Sequence, residues 1–188
     1  MAFDGLVYGP IKGQNGYSIQ NGYDDWSGGY LDVRGAGCEG NVYCVSTATK
    51  PLRDGNSGLW IIKSATGKPD GTPVNCNDKI YLVNQFAPNT YLDVRGTGCQ
   101  GNAYCVSTAS KEDRDSGSGT WLIIPDQCET GMIDEGTPVR LLNGYGGFAG
   151  GFLDIRGNGC QDNVHCVSTS TYYNRDSGST TWRFSSHF

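Results

Sequence analysis

An all-β fold built from three like units is the architecture this sequence predicts, and three observations carry the prediction. The segment Tyr30 to Thr47, YLDVRGAGCEGNVYCVST, returns as YLDVRGTGCQGNAYCVST from Tyr91 to Thr108 and as FLDIRGNGCQDNVHCVST from Phe152 to Thr169, a spacing of 61 residues both times. Between the copies lie short runs rich in β-branched and aromatic residues, punctuated by turn signals, and no stretch keeps a helical period. With 37% hydrophobic residues and 29 glycines in 188, the composition suits a compact, turn-rich β protein rather than a helical or disordered chain.

The elements follow in order within the middle copy. Thr72 to Val74, Lys79 to Asn84, Tyr91 to Arg95, Ala103 to Thr108 and Thr120 to Ile124 read as strands, separated by DG, ND, APN, GTG and SGSG. Leu92 and Val94 alternate with Asp93 and Arg95, which places the apolar pair toward a core and the charged pair outward. Each copy ends in a strand carrying a tryptophan, Trp60, Trp121 or Trp182, and a large aromatic repeated at one strand position reads as core.

A unit of about 61 residues is marginal as a separate domain, so the three are expected to share one interior. The predicted organisation is one domain over 1–188 with subdomains of approximately 1–63, 64–125 and 126–188. Four short strands per unit fit a β-trefoil, because closing the units into a barrel removes the sheet edges that three separate modules would expose. A β-prism is the alternative with the same symmetry.

Eight cysteines divide into three Cys-x5-Cys pairs, Cys38 with Cys44, Cys99 with Cys105 and Cys160 with Cys166, leaving Cys76 and Cys128 to pair with each other. That regularity points to disulfides and an oxidising compartment, hence a secreted or extracellular protein, with a cytoplasmic one holding reduced thiols as the alternative. Each small ring contributes only about 2 kcal/mol by loop closure, so its expected role is to pin a loop. The opening MAFDGLVYGPIKGQ shows no basic stretch leading into an apolar run, and nowhere do eighteen apolar residues follow one another, so no membrane insertion is expected. A net charge of −5 without a Lys/Arg cluster argues against nucleic acid as a partner.

The run Leu31-Asp32-Val33-Arg34-Gly35, then Gly40-Asn41 ahead of Val45, then Trp60, resembles the ricin-B-type β-trefoil lectins. Those lectins show an Asp in a V/L-D-V strand, an Asn-x-apolar strand and a closing Q-x-W in each subdomain. The resemblance spans all three units. Two departures stand out: the Gln of Q-x-W is missing, and Ser46, Ser107 and Ser168 stand where such lectins often carry an aromatic platform. The resemblance implies a β-trefoil that binds glycans or glycoconjugates through up to three weak, equivalent sites acting together, with Asp32, Asp93 and Asp154 accepting hydrogen bonds from sugar hydroxyls.

Other side chains are candidates on their own chemistry. Asn41, Asn102 and Asn163 can donate and accept toward adjacent hydroxyls, or can simply serve a turn. The loop before each LDV strand brings Tyr23, Phe86 and Tyr145 to equivalent places, and Trp26 and Phe148 occur only in the longer loops of the first and third copies. Rings flanked by glycines and polar residues suit stacking on a sugar, or capping of the barrel. The structural alternative for the aspartates is an ion pair with Arg34, Arg95 or Arg156. The repeated Arg53-Asp54, Arg114-Asp115 and Arg175-Asp176 read as braces for a turn.

Catalytic signals are lacking. His165 and His187 are not repeated, no nucleophile elbow or zinc-binding helix occurs, and no cofactor, metal or enzyme activity is expected. Two other functions remain compatible. One is a β-trefoil protease inhibitor acting through a unique loop, for which Ser64 to Lys79 and Pro125 to Pro138 are the unmatched stretches. The other is a non-catalytic receptor-binding or assembly module.

Overall fold

The computed structural model describes residues 9–13 and 15–186; most of the opening segment and His187 lie outside them. It is a β-trefoil of twelve strands among the described residues: β1 (Gly16–Asn21), β2 (Tyr30–Ala36), β3 (Tyr43–Ala48), β4 (Trp60–Ser64), β5 (Lys79–Asn84), β6 (Tyr91–Thr97), β7 (Tyr104–Ala109), β8 (Trp121–Pro125), β9 (Val139–Asn143), β10 (Phe152–Asn158), β11 (His165–Ser170) and β12 (Trp182–Ser186). Every pairing is antiparallel.

Six strands close the barrel in the order β1, β4, β5, β8, β9, β12 and back to β1. The hairpins β2–β3, β6–β7 and β10–β11 form the cap, and their second strands meet cyclically, with Cys44 opposite Ser107, Ser168 opposite Cys105 and Cys166 opposite Ser46. Each hairpin carries a register shift, such as that between Val33 and Ala36, which bends it over the barrel end.

The sequence pattern explains the interior. Leu31, Leu92 and Leu153 are fully buried, as are Trp60, Trp121 and Trp182. Each indole Nε1–H donates to the carbonyl of one of those leucines, 2.9 Å to Leu31, 3.0 Å to Leu92 and 2.9 Å to Leu153. A tryptophan here fills the barrel and satisfies its polar atom on the hairpin of its own copy, so cap and barrel are fastened by the same side chain.

The floor of the barrel contains a third triplet that the repeat did not reveal. Ile11, Val74 and Ile133 are buried, and their backbones bond in a ring: Ile11 N–H to Ile133 O at 2.8 Å, Val74 N–H to Ile11 O at 2.9 Å, Ile133 N–H to Val74 O at 3.0 Å. Thr72 to Val74, expected as a strand, contributes only an isolated bridge between Lys12 and Pro73. All four disulfides form. Cys76–Cys128 spans 52 residues across the floor, a closure that removes about 4 kcal/mol of unfolded-chain entropy.

Candidate functional site

The aspartates of the LDV strands do take the outward phase of their strands, yet none reaches solvent: Asp32, Asp93 and Asp154 are each 0% exposed. This corrects the expectation that they present acceptors to a sugar. Alternation decides which face of the strand a residue takes, and here two donors cover that face. Arg53 Nε donates to Asp32 Oδ2 at 2.8 Å, Arg114 to Asp93 at 2.9 Å and Arg175 to Asp154 at 2.7 Å. The same guanidinium donates from Nη2 to the carbonyl of the next strand residue, Val33, Val94 or Ile155. The partners are therefore not Arg34, Arg95 and Arg156, and the Arg-Asp dipeptides brace through the hairpin aspartate; Arg53 lies 3.9 Å from Asp54.

The second donor comes from another copy. Asn163 Nδ2 bridges Asp32 Oδ2 and Ser46 Oγ, both at 2.9 Å; Asn41 bridges Asp93 and Ser107, and Asn102 bridges Asp154 and Ser168. Each amide oxygen then accepts from Arg34, Arg95 or Arg156 at 3.0–3.1 Å. These asparagines are half-buried and their hydrogen-bonding capacity is used within the protein. The triad that the lectin resemblance assigns to sugar is an inter-repeat clamp, and the position of the missing aromatic platform is a serine inside it.

At the threefold axis, above this girdle, the three Cys-x5-Cys bridges surround a small cavity together with Glu39, Gln100, Gln161 and Val45, Val106 and Val167. Gln100 Nε2 lies 3.9 Å from Cys160 Sγ and Gln161 Nε2 3.8 Å from Cys38 Sγ, while Glu39 Oε1 lies 3.6 Å from Cys99 Sγ. Burial pushes the Glu39 carboxyl above its ordinary range. Glu39, Cys99 and Cys105 bring ligand-type atoms together, but both sulfurs are tied in a disulfide and offer no thiolate.

The loop aromatics are at the surface between copies. Tyr23 meets His165, Phe86 meets Tyr43 and Tyr145 meets Tyr104, all edge-on with centroids 5.5–5.8 Å apart. Tyr23 and Tyr145 are half-buried and Phe86 is exposed. Sequence reasoning did not single out two exposed rings, Tyr172 and Tyr173; Tyr173 meets Phe152 edge-on, and the Arg140 guanidinium lies 4.1 Å from the Tyr173 ring centre. Their signal was available, since Lys50-Pro51 and Lys111-Glu112 occupy the same place in the other copies.

Trp26 and Phe148 belong to matching turns on two of the three lateral barrel faces. Arg183 and Gln20 lie directly opposite on neighbouring strands of the first face, Ile61 and Val83 on the second, Leu122 and Leu142 on the third. On the first, the Trp26 ring packs 4.1 Å from the Arg183 guanidinium, Arg183 donates twice to Gln20 Oε1, and Gln20 Nε2 donates to Trp26 O at 2.9 Å. On the third, half-buried Phe148 lies under Lys79, 5.2 Å from its ring centre. The second face has no such ring and opens as a pocket of about 380 Å³.

The stretches Ser64 to Lys79 and Pro125 to Pro138 do not project as one free loop. They are joined by Cys76–Cys128 and a bridge between Asn75 and Met132 as part of the floor.

No known family profile and no curated protein sequence matches the chain. Solved structures do. The SDF2-like protein from Arabidopsis thaliana is similar with a TM-score of 0.76 at 14% identity, 94% of each chain being covered. A Caenorhabditis elegans protein of unknown function gives a TM-score of 0.74 at 18% identity, over 97% of this chain and 99% of that one. The Macrolepiota procera ricin B-like lectin, solved with lactose, gives 0.56 at 13% identity, over 94% and 99%. At these identities the likeness establishes the fold.

Proposed function

We propose that the protein is a non-catalytic carbohydrate-binding module whose recognition surface lies on its lateral loops rather than on the repeated carboxylates. The observation that carries this reading is the distribution of exposed apolar side chains. Of the five large ones left in solvent among the described residues, Phe86, Tyr172 and Tyr173 are aromatic and sit on loops beside amide, hydroxyl and charged groups, while Leu52 and Met132 stand elsewhere. A ring with polar neighbours covers the C–H face of a pyranose and leaves its hydroxyls to be bonded at the edge. The lactose-bound lectin of the same fold supports the reading by analogy of architecture. The four disulfides support an oxidising setting, where glycan surfaces are met.

Three equivalent sites form no part of this reading, because the lateral faces differ in every ring and every opposite pair. The test is a glycan array with the disulfide-intact chain. Retention on a defined set of glycans, displaced by the corresponding free sugar, is expected; a chain retained by no glycan refutes the reading.

A further inference from the structure

The open face of the middle copy is where the three copies part company in a way a ligand can use. In the first and third copies the connection from barrel to hairpin runs from Asn21 to Gly29 and from Asn143 to Gly151; in the second it runs only from Asn84 to Thr90, two residues shorter. The residues lost are those that carry Trp26 and Phe148 back over the barrel wall. All three connections start alike, the buried asparagine accepting from the backbone N–H two residues on, so the difference begins after that point.

The resulting pocket of about 380 Å³ is lined by Ile61, Val83, Pro88 and Tyr91 as an apolar floor and by Lys63, Gln85 and Asn89 as a rim. Ile61 and Val83 are half-exposed there, although both belong to barrel strands. The side-chain amides of Gln85 and Asn89 have no hydrogen-bond partner among the described residues, in contrast to Gln20, which is engaged by Arg183 and by the Trp26 carbonyl. At the far end Lys63 is paired with Glu112 and lies 5.9 Å from the Tyr91 ring centre. The hydrogen bond that Lys63 donates to Glu112 raises the Lys63 pKa, so the ammonium keeps its charge beside that carboxylate.

We infer that this is the one pocket that encloses a sugar, holding a terminal pyranose of a neutral glycan, while the exposed rings of Phe86, Tyr172 and Tyr173 lie outside it. The inference rests on the carbohydrate-binding reading above and adds location, stoichiometry and ligand class. A floor of two aliphatic side chains with a proline matches the C–H face of a hexose ring, and two unengaged amides supply donors and acceptors in pairs, as vicinal hydroxyls require. The charges at the rim cancel, which favours an uncharged sugar over an acidic one. The other faces cannot serve, since their own aromatic side chains fill them.

The probes are a panel of methyl hexopyranosides in galacto, gluco, manno and N-acetylglucosamine form, titrated calorimetrically into the disulfide-intact chain alongside the glycan array. One ligand per chain is expected. Replacing Asn84–Thr90 by the third copy's NGYGGFAGG plugs the pocket with a ring and is expected to abolish binding. The point variant Q85A/N89G keeps the loop backbone, with glycine at a position of φ +67°, and is expected to lower affinity at least tenfold while circular dichroism and melting stay unchanged. Binding that persists undiminished in both variants, or a stoichiometry of three, overturns the pocket while leaving the carbohydrate reading in place. A wild-type chain that retains no glycan and binds none of the pyranosides overturns both.

Discussion

The girdle of clamps and the lateral faces belong to the same barrel and obey opposite rules. In the girdle, aspartate, arginine, asparagine and serine recur three times with hydrogen-bond lengths that agree within about 0.2 Å. On the lateral faces the opposite pairs are Arg183 with Gln20, Ile61 with Val83 and Leu122 with Leu142, and the covering ring is Trp, none and Phe. The difference teaches where each kind of work is done. Buried polar groups have few acceptable arrangements, so a solved arrangement is repeated; a surface that need only exclude water admits many solutions, and the middle copy leaves its face open.

The largest expected effect breaks the symmetric side of this comparison. Asp93→Ala leaves Arg114 and Asn41 facing an uncompensated site and should cost about 3 kcal/mol, near the lower end for a broken buried pair because Arg114 is partly exposed. Chemical denaturation of the disulfide-intact variant measures it. A loss below about 1 kcal/mol would show that the clamp contributes no more than an exposed ion pair.

A smaller effect sharpens the asymmetric side. Asp24 and Asp25 sit at φ +47° and +57°, while the equivalent turn in the third copy uses Gly146 and Gly147 at +63° and +76°. Substituting both aspartates by glycine relieves left-handed backbone in two L-residues at some cost in unfolded-state entropy, and should stabilise by about 1 kcal/mol net. The melting temperature should rise by roughly 3 °C for a chain of this size. Unchanged or lowered melting would mean that the carboxylates contribute interactions worth the strain.

The smallest lies on the axis. Glu39 stands where the other copies have Gln100 and Gln161, and its pKa is raised in the fold. A raised carboxyl pKa means that the native state favours the protonated form, so Glu39 supports stability at low pH and that support fades as pH rises through the folded pKa. Glu39→Gln should flatten this segment of the stability profile and stabilise by less than about 0.5 kcal/mol at pH 7. Denaturation midpoints at pH 4 and pH 7 check the sign.

Much of the fold was legible because its signals are local. Strands β5 to β8 fall within a few residues of their sequence-predicted bounds, the tryptophans are core, and the cysteine spacing yields the bridges. The site was less so. Asp32 is covered by Asn163, 131 residues away, and strand alternation carries no information about a cover from so far along the chain. The floor triplet escaped notice because each of Ile11, Val74 and Ile133 is one buried residue in an otherwise dissimilar segment. The pocket was hardest: the shorter second loop, without a counterpart of Trp26 or Phe148, was legible, but the wall it leaves open joins Ile61 and Val83 on separate strands whose pairing the repeat does not reveal.

The clamps also run one way around the molecule: Asn41 reaches to Asp93, Asn102 to Asp154, and Asn163 returns to Asp32. Each unit thus offers one arm and one grip, like three people seated in a circle with each holding the next one's wrist. Two units leave an arm idle and a grip bare, whereas a third closes the circuit, so the polypeptide has the bonding logic of a homotrimer threaded onto a single strand.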